Sequence, residues 1–462
     1  MSLNKVLPEQ NIFKAYDIRG KVGKSLNDDS IIQIGKSIGS EALQQNQKNI
    51  SVGYDGRLSS PHVFNLLSKG LLSTGINITN IGLVTTPMLY FSNHHLDIKS
   101  GIMITGSHNP PEYNGFKIVI NEKTLSTEDI QGLYQRIAKE NFVKGEGVIT
   151  TSNIKTSYLK KIYEDIKLAR PIKVAIDCGN GAAGICAEEL FNGIGAIVEP
   201  LFCEVDGNFP NHHPDPSRLK NLTYLKKALL NGDSEIGLAF DGDGDRLGVV
   251  SKNGEVIYPD RQLLLFAEDV LKNNKESSII FDVKSTRYLF PWIKERGGIP
   301  IMWKTGHSLI KAKIKESKAI LAGEMSGHIF FNDRWYGFDD GLYAGARLLE
   351  ILSNFDNPSN VLEALPKGFS TSELNIELKE GEQHKVIKSL QKEAKFLNAN
   401  EVIKIDGLRV EYDYGFGLMR ASNTTPAIVL RFEANSNENL IIIQNEFKII
   451  LQKYISLEKI PF

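Results

Sequence analysis

Lys173-Val174-Ala175-Ile176-Asp177, running into Gly179-Asn180-Gly181-Ala182-Ala183-Gly184, is a short apolar strand that ends in aspartate and turns through small residues toward a helix. The same order occurs twice more. Ser51-Val52-Gly53-Tyr54-Asp55 leads through Gly56-Arg57 into a helical stretch from about Pro61, and Ser278-Ile279-Ile280-Phe281-Asp282 leads through Ser285-Thr286 into another. A strand–Asp–turn–helix unit recurring at intervals of roughly a hundred residues predicts three related α/β domains rather than a solenoid. Chance recurrence of a common strand–helix pattern is the competing reading.

The breaks between these units are soft. Thr150 to Asn153 reads as a polar break, Ser251 to Gly254 as a turn, and Leu365-Pro366-Lys367-Gly368 as a linker. Beyond the linker the pattern changes. Val410-Glu411-Tyr412-Asp413-Tyr414-Gly415 and Ala427 to Phe432 read as strands of an antiparallel sheet, with a closing helix from about Glu438. The expected fold class is therefore three related mixed α/β domains followed by a smaller α+β domain. The boundaries fall at residues 1–152, 153–254, 255–367 and 368–462.

A chain of 462 residues is too long for one core, and about three or four domains of roughly 100 to 200 residues fit it. Lys and Arg number 54 against 55 Asp and Glu, a formal net charge of -1. That balance gives no electrostatic case for nucleic acid or an anionic membrane, so anion binding must come from local clusters. The three cysteines, Cys178, Cys186 and Cys203, form no CxxC pair and read as thiols of a reducing compartment. Asn4, Lys5, Pro8, Glu9 and Gln10 leave no apolar run for a secretion signal, and no stretch approaches the ~20 apolar residues that span a bilayer. A cytoplasmic protein is expected.

Two stretches carry most of the chemistry. Thr105-Gly106-Ser107-His108-Asn109-Pro110 presents one hydroxyl in a polar turn directly after the apolar strand Gly101 to Ile104. Asp241-Gly242-Asp243-Gly244-Asp245-Arg246 gathers three carboxylates between the apolar strands Ile236 to Phe240 and Leu247 to Val250. Carboxylates so close repel one another unless a hard divalent cation sits among them. A calcium hand needs glycine at the sixth position and an acid at the twelfth, where this chain has Arg246 and Lys252, so that reading fails. Open coordination by three carboxylates suits Mg²⁺ shared with a phosphate oxygen. No GxSxG elbow surrounds Ser107. Its neighbours His108 and Asn109 can donate hydrogen bonds, and Lys117 lies shortly downstream. On its own Ser107 reads equally well as a turn residue. With the acidic loop, it points to metal-assisted phosphoryl transfer.

Three further loops fit a phosphosugar. Gly323-Glu324-Met325-Ser326-Gly327-His328 lies between expected strands at Ala319 to Leu321 and Ile329 to Phe331, and one carboxylate there can accept hydrogen bonds from two adjacent sugar hydroxyls. Arg420-Ala421-Ser422-Asn423-Thr424-Thr425 groups a guanidinium, hydroxyls and an amide, a set suited to a phosphate monoester. Lys304-Thr305-Gly306-His307-Ser308 adds a cation and an imidazole able to move a proton near neutral pH. Taken singly, each also reads as a turn or a solvated surface loop.

Together, in this order, these loops resemble the signature loops of the α-D-phosphohexomutase superfamily, and most closely its bacterial bifunctional phosphomannomutase/phosphoglucomutase branch. The resemblance runs from Phe13-Lys14-Ala15-Tyr16-Asp17-Ile18-Arg19-Gly20 to the Arg420 loop. Met325 fits the mannose/glucose branch, since the glucosamine branch usually has Gln there. The resemblance implies a heart-shaped molecule around a central cleft, with a last domain that rotates over it. It implies that Ser107 is carried as phosphoserine and that Asp241, Asp243 and Asp245 hold Mg²⁺ with a phosphoserine oxygen. It also implies that Glu324 and Ser326 hold the sugar with His328 close by, and that Arg420, Ser422, Asn423 and Thr424 bind the non-reacting phosphate. Lys117 and His307 are then the candidates for proton transfer, beside His108 next to the serine. Tyr16, Arg19, Arg246 and Lys284 are supporting residues. The implied reaction interconverts hexose 1-phosphate and hexose 6-phosphate, with hexose 1,6-bisphosphate as intermediate and activator. A metal-dependent sugar-phosphate phosphatase, a phosphoglucosamine-type mutase and a silent sugar-phosphate sensor are the alternatives. Phosphosugars are the expected partners, with no nucleic acid or membrane, and the protein is expected to be a monomer.

Overall fold

The computed structural model describes residues 7–423 and 425–462. They divide into two compact units. The first holds the chain up to Pro259 together with Lys311–Glu316 and Ser326–Ala364; the second holds Asp260–Ile310, Ser317–Met325 and Leu365–Phe462.

The first unit contains two sheets. In one, the spatial order is Ile18–Lys21, Tyr113–Ile120, Gly101–Ile104, Asn49–Tyr54, Asn77–Leu83 and Ile149–Thr151, with Lys123–Thr124 paired to Tyr113–Ile120. The four strands from Gly101–Ile104 to Ile149–Thr151 are parallel, and the two before them are antiparallel. Ile50, Val52, Ile102 and Ile104 are wholly buried, as expected of strands covered on both faces. Ile31, Ile34 and Ile38 of the helix Asp28–Gln44 and Val63, Leu67 and Leu71 of the helix Ser60–Leu72 fill the same core. These helices cross at glycines: a Cβ on Gly35 would lie 2.5 Å from the Leu67 carbonyl oxygen.

The other sheet of this unit runs Val256–Ile257, Leu247–Ser251, Ile236–Phe240, Lys173–Asp177 and Ile197–Leu201. Ile236–Phe240 and Leu247–Ser251 form an antiparallel hairpin whose last pair is Phe240 with Leu247. Residues 241–246 are therefore the hairpin tip. Every residue of both strands is buried, which gives the acidic loop a rigid base.

In the second unit, Ile299–Trp303, Ser278–Asp282 and Leu321–Gly323 pair in parallel. Beside them is an antiparallel sheet ordered Phe369–Ser370, Ala427–Ala434, Gly415–Ala421, Leu408–Tyr412 and Glu401–Ile403, with Leu374–Glu377 also on Ala427–Ala434. The helices Glu382–Glu393 and Asn437–Leu451 close its core through Ile387, Leu390, Ile443 and Phe447. The Arg409 guanidinium joins the two sheets, donating to the Val283 and Ser285 carbonyls at 2.7 and 2.6 Å.

Three local expectations are corrected. Thr150 and Thr151 are not a break but part of a parallel edge strand, opposite Thr79 and Asn80. The strand before Glu324 is Leu321–Gly323 rather than Ala319 to Leu321, because its register is set by Ile279, Ile280 and Phe281 opposite. Val410 to Gly415 is two strands rather than one: Asp413 and Tyr414 turn the chain, and the second strand continues through Arg420 and Ala421. Arg420 therefore projects from a strand, and its loop begins at Ser422.

Candidate active site

Asp55, the aspartate that ends the first repeated strand, organises the serine loop. Its carboxylate accepts from Thr105 Oγ1 at 2.8 Å, the Gly106 N–H at 3.2 Å, Ser60 Oγ at 2.6 Å and Arg57 Nε at 3.1 Å. Arg57 is wholly buried and donates to the carbonyls of Ser107, Asn109, Pro110 and Tyr113 at 2.6 to 3.1 Å. One guanidinium thus ties together four carbonyls along the turn, of which Pro110's also accepts from the Tyr113 N–H at 3.0 Å. Ser107 is held with φ at +47°, a left-handed conformation that costs a non-glycine residue on the order of 1–3 kcal/mol. The Ser107 N–H donates to Thr105 Oγ1 at 2.7 Å.

The acidic hairpin tip packs against that turn. A Cβ on Gly242 would collide with the Ser107 carbonyl oxygen, so the approach requires glycine. Ser107 Oγ donates to Asp241 Oδ2 at 3.2 Å and lies 3.1 Å from His108 Nδ1. Asp241, Asp243 and Asp245 are buried and can turn carboxylate oxygens to within 4.8 Å of one another. Asp243 Oδ2 accepts from Lys117 Nζ at 2.7 Å and from Thr86 Oγ1 at 2.6 Å, and Lys117 also pairs with Asp245. Asp243 Oδ1 and Asp245 Oδ1 are buried without a hydrogen-bond partner among the described residues. Buried carboxylate oxygens left so are costly, and a donor set made up of carboxylate oxygens fits a hard divalent cation. Burial, then the charges of Asp245 and Asp243, raises the Asp241 carboxyl well above its ordinary range. Burial alone would lower the Lys117 ammonium, but Asp243 and Asp245 outweigh it and keep the group charged.

Other expected residues gather around this core. Arg19 donates to the Gly106 carbonyl at 2.8 Å and to Asn109 Oδ1 at 2.6 Å, and pairs with Asp17. Tyr16 is buried. The Arg246 N–H donates to Asp241 Oδ1 at 3.2 Å, and its Nε donates to His328 Nε2 at 3.1 Å. His328 Nδ1 lies 3.1 Å from Asp339, which pairs at 2.9 Å with Lys311. The Arg246 charge, then burial, holds the His108 imidazole well below its usual range, hence neutral at pH 7. Ser326 belongs to this unit, immediately before Gly327, whose carbonyl accepts from the Leu247 N–H at 3.1 Å.

His307, Lys284, Glu324, Arg420, Ser422 and Asn423 belong to the second unit. Glu324 Oε1 accepts from the Gly306 N–H at 2.5 Å, which ties the expected sugar loop to the loop of His307. Asp406 links that same loop to Arg420: its Oδ2 accepts from the Thr305 N–H at 3.1 Å and from Arg420 Nε at 2.9 Å. Lys284 pairs at 3.0 Å with Glu373; burial lowers it, but Glu373 and Asp282 prevail and hold it charged. Ser422 Oγ accepts from the Thr425 N–H at 3.2 Å. Thr424 lies outside the described residues.

Asp55, Arg57, Thr86, Asp339, Lys311, Asp406 and Glu373 were absent from the expected set. Only Asp55 and Arg57 had a signal, the aspartate and turn of the repeat. Thr86, Glu373 and Asp406 reach Asp243, Lys284 and the Thr305 N–H across long stretches of sequence, while Asp339 and Lys311 sit in a loop and a helix without a motif of their own. Asp177 and Asp282, the matching aspartates, play the same loop-organising part, accepting from the Gly179 N–H at 2.9 Å and Ser285 Oγ at 2.8 Å.

Comparison with known proteins agrees with this architecture. Family models described as phosphoglucomutase/phosphomannomutase alpha/beta/alpha domains I, II and III match residues 10–144, 156–254 and 258–369, and the C-terminal domain model matches 373–448. A phosphoglucomutase of Neisseria gonorrhoeae is 57% identical over 446 residues, covering 96% of this chain and 97% of that one. A phosphomannomutase/phosphoglucomutase of Pseudomonas aeruginosa is 51% identical over 453 residues, 98% of each chain. The crystal structure of a phosphoglucomutase/phosphomannomutase family protein from Burkholderia thailandensis superposes with a TM-score of 0.93 at 51% identity, covering 97% of this chain and 98% of that one.

Proposed function

The chain belongs to the phosphoglucomutase/phosphomannomutase family, and we propose that it is an isomerase that interconverts the 1-phosphates and 6-phosphates of glucose and mannose. The observation that carries the reading is the contact of Ser107 Oγ with the buried aspartate cluster, 3.2 Å from Asp241. Ser107 carries the phosphoryl group, gives it to the free hydroxyl of a hexose phosphate, and takes back the other phosphate of the resulting 1,6-bisphosphate after that intermediate has turned end for end. Hexose 1,6-bisphosphate also serves as activator, by restoring the phosphoserine.

Asp241, Asp243 and Asp245 hold Mg²⁺, and the two unpartnered Oδ1 atoms support that assignment. The ion supplies positive charge where phosphoryl oxygens gather charge. Lys117 brings a second cation to the same carboxylates. Arg57 and Asp55 keep the serine turn in place, and positioning of this kind is worth several kcal/mol in a phosphoryl transfer. Glu324 and Ser326 grip adjacent sugar hydroxyls, with His328 beside them. Arg420, Ser422, Asn423 and Thr424 bind the phosphate that does not react. Lys117 and His307 are assigned to proton transfer, and neutral His108 lies against the Ser107 hydroxyl. Tyr16, Arg19, Arg246 and Lys284 support these groups.

The domain boundaries assigned are 1–152, 153–254, 255–367 and 368–462, in a monomer working in the cytoplasm. No helix among the described residues is long and apolar enough to cross a membrane. A coupled assay for glucose 6-phosphate, begun with glucose 1-phosphate, Mg²⁺ and a trace of glucose 1,6-bisphosphate, tests the reaction. The expected product is glucose 6-phosphate; inorganic phosphate as the main product would make the protein a phosphatase instead.

A further inference from the structure

Two cysteines that the chemistry above does not use face one another. Cys178 follows the strand Lys173–Asp177, and Cys203 lies just beyond the strand Ile197–Leu201. The strands are parallel neighbours with Asp177 opposite Leu201, so both chains leave the sheet side by side. Their sulfurs are 3.5 Å apart. A disulfide bond is about 2.05 Å long, so a movement of about 1.5 Å separates the dithiol from the bonded pair. Cys178 is buried and Cys203 is partly exposed. Cys203 is thus the residue of the pair nearer to solvent. The hydrogen bond between the two sulfurs holds the Cys203 thiol below its ordinary value, and the same contact, then burial, raises Cys178. That asymmetry suits an attacking thiolate and a resolving thiol. Cys186 differs: it is buried, its sulfur faces the Ala183 carbonyl at 3.7 Å, and burial raises it.

The turn that holds this pair also supports the acidic loop. The Gly181 N–H donates to the Cys178 carbonyl at 2.7 Å, and the Ala182 N–H donates to the Gly242 carbonyl at 2.9 Å. A Cβ on Gly181 would lie 3.0 Å from Gly242 Cα, and one on Gly184 would collide with the Cys203 carbonyl oxygen. The turn thus packs against the Cys203 backbone at Gly184 and against Gly242 at Gly181, so a backbone shift at Cys203 would pass through it to Gly242, which sits between two of the three aspartates.

We propose that Cys178 and Cys203 are a redox-sensitive modification site, forming a reversible disulfide under peroxide that shifts the Gly242 turn and slows the enzyme. The Cys203 thiolate attacks one peroxide oxygen, the O–O bond breaks, and hydroxide leaves with a sulfenic acid on Cys203. The Cys178 sulfur then attacks the Cys203 sulfur, the S–O bond breaks, and water departs with the Cys178 proton. Two thiols are oxidised and one hydrogen peroxide is reduced to two waters. A dithiol reductant reverses the change.

The test treats the full-length enzyme with hydrogen peroxide, alkylates the remaining thiols, and maps the peptides by mass spectrometry. The expected result is a linked Cys178–Cys203 peptide, with activity lowered by about tenfold or more, as displacement of metal ligands implies, and restored by dithiothreitol. Cys203→Ser should give no linked peptide and should keep its activity through the same treatment. Cys178→Ala checks the partner if the serine variant folds poorly. Free or merely sulfinic Cys203 in treated wild-type enzyme would overturn the proposal, as would a linked peptide with unchanged activity. The peptide map does not depend on which reaction the enzyme catalyses, so it can fail or succeed apart from the mutase reading.

Discussion

Thr86 shows how far the acidic loop depends on residues outside it. Its hydroxyl donates to Asp243 Oδ2 at 2.6 Å, and its N–H donates to the Asp243 carbonyl at 2.9 Å. Thr86→Val removes the first bond while keeping shape, and a lost hydrogen bond to a charged group costs about 1.5–3 kcal/mol. A calorimetric Mg²⁺ titration should show affinity lowered roughly 10- to 100-fold, the usual effect of disturbing a group that orients a metal ligand; unchanged affinity would remove Thr86 from that role. Arg57 plays a similar part for the serine turn. Arg57→Lys keeps the charge beside Asp55 but cannot reach four carbonyls, so kcat should fall by about a hundredfold with KM nearly unchanged. Steady-state kinetics on glucose 1-phosphate decide it, and a normal kcat would show that the turn holds without the fork. The motifs made Ser107 and the three aspartates legible from sequence. Thr86 was not, because it meets Asp243 across 157 positions and carries no pattern of its own.

The helix Gly341–Leu352 shows the same limit at the level of elements. Asp340 caps it, accepting from the Tyr343 N–H at 2.9 Å, while Tyr158 OH and Trp335 Nε1 donate to the same carboxylate at 2.9 and 3.2 Å. Burial is the largest influence on this group and pushes the carboxyl up to about 7 from 3.8. A raised carboxyl binds its proton more tightly folded than unfolded, so its contribution to stability is greatest below about pH 4, falls as pH rises toward 7, and levels off above. Denaturation of wild type and Asp340→Asn across that range should show a difference that changes with pH; parallel curves would contradict the assignment. Asp340→Ala removes the cap as well, at about 0.5–2 kcal/mol. The alternation of strands and helices was readable because buried parallel strands are continuous apolar runs. Their ends were less so. Leu321–Gly323 takes its register from Ser278–Asp282, and the turn at Asp413 and Tyr414 interrupts a run that reads as one strand. Pairing partners distant in sequence decide such ends, and local propensity does not report them.

For the molecule as a whole, a strand–Asp–turn–helix repeat and a changed C-terminal composition were enough to indicate three α/β domains and an α+β domain. Four family models now match in that order. Substrate breadth belongs to this scale, because it depends on where the enzyme grips. Glucose and mannose differ only at C2, and the proposed grip uses a sugar diol and a phosphate that both share. Contacts common to two substrates cannot separate them, so kcat/KM for glucose 1-phosphate and mannose 1-phosphate should agree within about a hundredfold, or ~3 kcal/mol. A preference of many thousandfold would show that another residue reads C2. Intact-protein mass spectrometry tests the proposed passage of the phosphoryl group through Ser107. After incubation with glucose 1,6-bisphosphate and Mg²⁺, the wild-type protein should gain one phosphoryl group, located on Ser107, and lose it to added glucose 1-phosphate. No gain in mass, a phosphoryl group on another residue, or a Ser107→Ala protein that keeps full mutase activity would contradict the account.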